Sequence, residues 1–188
     1  MFLSDNTLLT SIASGFIKIE PFNSKNVQPA SVDLHLGSDL LVFDKKIQAV
    51  IDPELPVEMR RVALDGGFLL EPGGFALGAT EEKLSVPNGL VGRLEGKSSL
   101  ARLGLLVHVT AGFIDPGWEL AQITLEFTNL SPLPIILREK MKIAQISYSY
   151  VDKLSAMPYG SKGLGSKYSG QSGPTASKYN ENYANQDY

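Results

Sequence analysis

Cysteine is missing from the chain. Without thiols there is no disulfide, no thiolate metal site and no cysteine nucleophile. Histidine is scarce: His35 and His108 stand far apart, with no carboxylate at ligand spacing, so a histidine metal pair is not expected. No apolar run approaches the length of a membrane span. The opening, MFLSDNTLLTSIASGF, lacks the basic start and long apolar stretch of a secretory signal. Positive charge is not in excess either: 17 Lys and Arg against 20 Asp and Glu give a net charge of −3. No global basic field draws the chain to nucleic acid or an anionic membrane, so any phosphate binding falls to local side chains. A soluble, cytoplasmic protein is the expectation.

What is present is an ordinary globular composition. The 188 residues fit one domain with a real core, 43% of them apolar and 20% charged. Ser4 or Asp5 can cap a short helix whose apolar stripe is Leu8, Leu9 and Ile12. Beyond it the pattern is of strands. Val32, Leu34 and Leu36 alternate with Asp33 and His35. Apolar runs follow at 40–43, 68–70, 75–77, 90–94, 105–109, 123–127, 135–137 and 143–150. Turn signals separate them, among them Glu71-Pro72-Gly73-Gly74, Pro87-Asn88-Gly89 and Asp115-Pro116-Gly117. Many short strands at close spacing predict a sandwich or jelly-roll rather than a parallel sheet. Ser98 to Leu103 can form one helical turn within it. Gly160 to Ser177 is rich in Gly, Ser, Lys and Tyr and too poor in apolar residues to pack a core, but it could order over a ligand. Residues 178–188 read as a solvated tail.

Chemistry concentrates between Gly96 and Asn129. In Gly96-Lys97-Ser98-Ser99-Leu100-Ala101-Arg102 a tight turn carries two hydroxyls, a Lys and an Arg, donors suited to phosphate. The spacing is not that of a Walker loop, and a capped helical turn with solvated charges fits the same residues. Asp115 opens an Asp-Pro-Gly turn, which structure alone explains; it could also bind a sugar hydroxyl or orient water. Glu126 shares a strand face with Thr124, opposite Ile123, Leu125 and Phe127. That face is either solvated or lines a pocket or subunit interface, where the carboxylate could act as a general base. Trp118 reads as packing. Tyr159, Lys167 and Gln171 add donors for a phosphate or a base edge.

These segments, GRLEGKSSLARLGLLVHVTAGFIDPGW, ITLEFTN, MKIAQIS and PYG…GSKYSGQSGPT, with LSD, EPF and VQPASVDLHLG before them, resemble the dCTP deaminase branch of the dUTPase-like superfamily. The resemblance covers roughly residues 2 to 177. It implies a mostly β, distorted jelly-roll fold (β-clip-like) with a short N-terminal helix, a domain over 1–159, a flexible C-terminal lid over 160–177 and a tail over 178–188. It implies a homotrimer with active sites between subunits and dCTP entering with Mg²⁺ held mainly by its phosphates.

By the same resemblance Lys97, Ser98, Ser99, Leu100, Ala101 and Arg102 bind the triphosphate, with Ser98 and Arg102 also near the reacting group. Asp115 contacts the deoxyribose, and Thr124 and Leu125 present backbone to the cytosine edge. Glu126 is the catalytic carboxylate, Gln145 is a further substrate residue, and Tyr159, Lys167 and Gln171 belong to the lid. Zinc is not expected, since the H-x-E…P-C-x-x-C set of zinc deaminases needs cysteine. Gly112-Phe113 after Thr110-Ala111, together with Gln145, points to the bifunctional, dUMP-forming branch. There Asp115 could help align water on the α-phosphate. The other readings are a deaminase releasing dUTP, an enzyme hydrolysing dUTP alone and a non-catalytic nucleotide-binding module; dTTP is a candidate feedback ligand. Trp118 to Ile123 is one residue longer than the family's usual pattern. A β-bulge could absorb the extra residue; otherwise the slip would turn Glu126 to the wrong face.

Overall fold

The computed structural model describes residues 1–44 and 46–183. One helix of nine residues, α1 (Asp5–Ala13), starts after Ser4 and buries Leu8. The rest is mostly β: β1 (Ile19–Glu20), β2 (Val27–Gln28), β3 (Ser31–His35), β4 (Asp39–Val42), β5 (Arg60–Ala63), β6 (Phe68–Leu70), β7 (Phe75–Val86), β8 (Leu90–Gly96), β9 (Leu105–Leu106), β10 (Phe113–Ile114), β11 (Trp118–Asn129), β12 (Ile135–Leu137) and β13 (Lys142–Tyr150). The turn α2 (Ser98–Ala101) interrupts them where a helical turn was expected.

The strands form two sheets and a ribbon. One sheet runs β5-β4-β7-β11-β9, with β1 also on β7; the other runs β10-β8-β13-β3-β2; β12 pairs with β6. All the pairings are antiparallel, as short connections allow. Leu34, Leu94 and Ile146 from the five-stranded sheet meet Leu40, Leu84, Leu125 and Phe127 from the six-stranded one in a single core. Each such side chain contributes roughly 1.5–3 kcal/mol by leaving water. Among the described residues the buried Asn88 Oδ1, His108 Nδ1 and Trp118 Nε1 have no hydrogen-bond partner, whereas the buried Asn129, Thr80 and Glu82 side chains are paired. Asn129 donates to the Leu70 and Leu133 carbonyls and accepts from Ser131 N–H, which fixes the end of β11. Tyr148 OH donates to Ser85 O at 3.2 Å, and burial pushes its phenol well above the usual tyrosine range.

Two elements extend beyond their expected bounds. The run predicted at 75–77 continues to Val86, and the one at 123–127 begins at Trp118. Both extensions contain register shifts. Between Trp118 and Ala121 β11 carries one residue more than its partner, and between Lys83 and Ala79 β7 carries two more. The extra residue before Ile123 is thus taken up in a bulge. From Ala121 onward the alternation is regular: Ile123, Leu125 and Phe127 are buried, while Thr124 and Glu126 lie half-buried on the other face.

His35 does meet a carboxylate: Glu82, buried on the β7 bulge, accepts from His35 N–H at 2.9 Å and sits 2.6 Å from its Nδ1. Glu81 lies within the same group, its carboxylate 3.8 Å from Lys140 Nζ. Sequence distance concealed this, since the pair spans two strands in different sheets.

Candidate active site

Glu126 is held by its neighbours in a defined position. Its backbone N–H donates to Val107 O, and its Oε2 accepts from Val109 N–H, both at 2.9 Å. No hydrogen bond reaches Oε1 among the described residues. The side chain lines a cavity of about 840 Å³ together with Thr124, Asp115, Tyr159 and Gln171. One carboxylate oxygen anchored and the other open is an arrangement that can accept a proton from a bound water.

The turn Asp115-Pro116-Gly117 delivers the second carboxylate. Gly117 has φ +91°, and a β-carbon there would lie 2.4 Å from Pro158, so glycine is required for both reasons. Its N–H donates to Val86 O, and Tyr159 N–H donates to Pro116 O at 2.8 Å, tying the C-terminal segment to the turn. Asp115 is exposed and borders both the large cavity and an adjoining one of about 480 Å³ that contains Lys167.

The Gly/Ser-rich segment runs back along β11. Gln171 Nε2 donates to Gln122 O at 2.8 Å, Gly173 N–H donates to Gln122 Oε1 at 2.7 Å, and Thr175 N–H donates to Thr124 Oγ1 at 3.3 Å. The Tyr159 ring packs 5.3 Å from Trp118, and its hydroxyl accepts from Tyr168 N–H. Thr175, Ser177 and Tyr179 border the cavity, and Tyr179–Asn182 form a short 3₁₀ turn. Of the expected tail, 184–188 lie outside the described residues.

Asp115, Thr124, Glu126, Tyr159 and Gln171 are thus brought together, with Lys167 next door. Leu125 is buried in the core beneath them, leaving only its backbone toward this face. Lys97 to Arg102 line neither cavity. Ser98, Ser99 and Arg102 are exposed, and their side chains have no partner among the described residues. Gln145 is also elsewhere: on β13, it accepts from Ser31 Oγ at 2.9 Å and donates to Gly96 O at 3.2 Å. Gly112 has a packing reason. A β-carbon there would lie 2.6 Å from Leu94 O and 3.3 Å from His108, so no larger residue fits this path. Phe113 follows it, 65% exposed, onto the cavity wall.

Sequence reasoning missed the apolar side of the cavity. Ile51, Val57 and Met59 come from the loop before β5, and Phe43 stacks on Phe75 at 5.8 Å. The available signal was the apolar content of IQAVIDPELPVEM, unusually high for a connection.

Fold and cavity together define a class: a two-sheet β protein that presents one strand carboxylate to a pocket covered by its own C-terminal segment. The chain belongs to the dCTP deaminase-like family, whose description matches residues 2–151. It is 48% identical to "dCTP deaminase, dUMP-forming" of Corynebacterium jeikeium, over 98% of this chain and 100% of that protein. A Mycobacterium ulcerans protein of the same name is 47% identical, over 97% of this chain and 98% of the relative. Among solved structures, the 2'-deoxycytidine 5'-triphosphate deaminase of Agrobacterium tumefaciens is similar with a TM-score of 0.62 and 25% identity, over 80% of this chain. The chain spans 48% of that solved chain's length.

Proposed function

We propose that the protein deaminates dCTP and cleaves the resulting triphosphate, giving dUMP, ammonia and pyrophosphate. The observation that carries this reading is Glu126, which lines the cavity with one oxygen fixed by Val109 N–H and the other without a partner among the described residues. Near-full-length relatives named for dUMP formation support it.

In the proposed reaction the cytosine edge lies along the Thr124–Leu125 backbone. Glu126 takes a proton from water as the oxygen bonds to C4, then returns a proton to the departing ammonia. Proton transfer of this kind contributes ~10²–10⁴-fold, and positioning supplies the remainder. The chain has no cysteine with which to assemble the zinc site of other nucleobase deaminases. A second water then attacks the α-phosphate, with Asp115 aligning it. Pyrophosphate leaves with the electron pair of the broken P–O bond.

The phosphate half of the site would come from a neighbouring copy. Lys97, Ser98, Ser99 and Arg102 carry the donors for a triphosphate, yet none lines the Glu126 cavity. A homotrimer with sites between subunits joins the two halves. The donors at this turn are cations and hydroxyls, which suit phosphate oxygens rather than a metal, so Mg²⁺ would arrive on the nucleotide. Residues 160–177 serve as the lid. A pyrimidine pocket of this kind would also admit dTTP as a feedback ligand, and the setting is cytoplasmic.

Product analysis tests the reading. Incubating the protein with dCTP and Mg²⁺ should give ammonia, dUMP and pyrophosphate in equal amounts, with no free dUTP by chromatography. Accumulating dUTP would leave only the deaminase, and absence of ammonia would remove the deamination.

A further inference from the structure

Asp33 lies on β3 opposite Gln145 of β13 and is 3% exposed. A carboxylate so far removed from water needs a cation, and this one has two. Lys97 Nζ donates to Oδ1, and Lys142 Nζ donates to Oδ2 at 3.3 Å. Gln28 Nε2 donates to Oδ2 as well, also at 3.3 Å. One negative and two positive charges leave the cluster with a positive surplus. Among the described residues no second carboxylate pairs with either lysine. The nearest in the sheet, Glu95, is engaged by Arg93 at 2.7 Å and by His108 at 3.7 Å.

The position of the surplus is informative. Lys97 opens the exposed turn that carries Ser98, Ser99 and Arg102, and Gln145 ties Gly96, at the head of that turn, to the same pair of strands. The Lys142 side chain is 52% exposed against 22% for Lys97, so it offers an accessible ammonium beside the turn. Two ammonium groups sharing one carboxylate repel each other, and an anion bound between them and solvent relieves that repulsion. A polyphosphate, with adjacent charged groups and many acceptor oxygens, has the required chemistry.

We propose that Lys142 is a further binding residue for the substrate's phosphates, beside Lys97. The inference rests on the reading of Lys97 to Arg102 as the triphosphate turn. Asp33 holds both ammonium groups on one side of the platform, so a nucleotide seated on the turn meets Lys97 and Lys142 together.

Lys142→Met keeps the stem and leaves Asp33 paired with Lys97, so the fold has no uncompensated buried charge. The variant should raise the KM for dCTP about tenfold with kcat within about twofold, the scale of one charge-assisted contact. Its Kd for inorganic tripolyphosphate, measured by calorimetry on the full chain, should weaken by a similar factor, and Lys142→Arg should restore most of both. A lysine serving only as a counter-ion to Asp33 would lower the melting temperature and leave KM and tripolyphosphate affinity unchanged; that result overturns the inference. If the wild-type protein releases no ammonia from dCTP, the proposed function fails. The tripolyphosphate comparison then decides alone: equal affinities overturn the inference and a weaker variant supports it.

Discussion

Replacing Glu126 by glutamine should abolish ammonia release from dCTP while nucleotide binding persists. The substitution is nearly isosteric, and the amide oxygen can still accept from Val109 N–H, which now holds Oε2 at 2.9 Å. The cavity wall is therefore preserved. What is lost is the capacity to take a proton from water and return one to ammonia. Because one carboxylate would serve both transfers, the loss should lie at or beyond the upper end of the general acid–base range, ~10⁴-fold in kcat. Affinity for dCTP should change by less than about threefold, since no partner of the phosphates is altered. Turnover within about tenfold of wild type would remove Glu126 from the mechanism.

Mixing two inactive variants should restore activity. Arg102→Ala would disable the phosphate half and Glu126→Gln the acid–base half, each leaving the other half intact. If one active site draws Glu126 from one protomer and Arg102 from the next around a closed ring, random co-assembly gives about one site in four both intact groups. Unfolding and refolding the two variants together should thus recover about a quarter of wild-type activity, from a background near zero. A site contained within one chain predicts no recovery. The structural motive is that Arg102 is exposed and borders neither cavity, whereas Glu126 borders the larger.

Much of this was legible in the sequence because it is local. The Asp115-Pro116-Gly117 turn, the alternation around Glu126 and the exposed hydroxyls of Ser98 and Ser99 need only nearest neighbours along the chain. The class of fold followed from the density of short strands. Other features depend on pairings the chain order conceals. The second half of β7 contains Thr80-Glu81-Glu82-Lys83, a polar run that reads as a loop. It is a strand because Thr80 Oγ1 accepts from Ile123 N–H and the buried Glu82 carboxylate is met by His35. The Asp33 cluster joins residues 33, 97 and 142, which only the β3–β13–β8 order brings together. The apolar wall around Ile51 and Met59 comes from a connection whose path no periodicity encodes.

The placement of cytosine over β11 is the claim on which the chemistry depends. A crystal structure of the Glu126→Gln protein with dCTP measures it directly. The account predicts the pyrimidine edge bonded to the Thr124–Leu125 backbone, the residue-126 amide about 3 Å from a water facing C4, and the triphosphate on Lys97 to Arg102 of a neighbouring protomer. A ring bound away from β11, or a triphosphate held wholly by the chain that supplies residue 126, would contradict it.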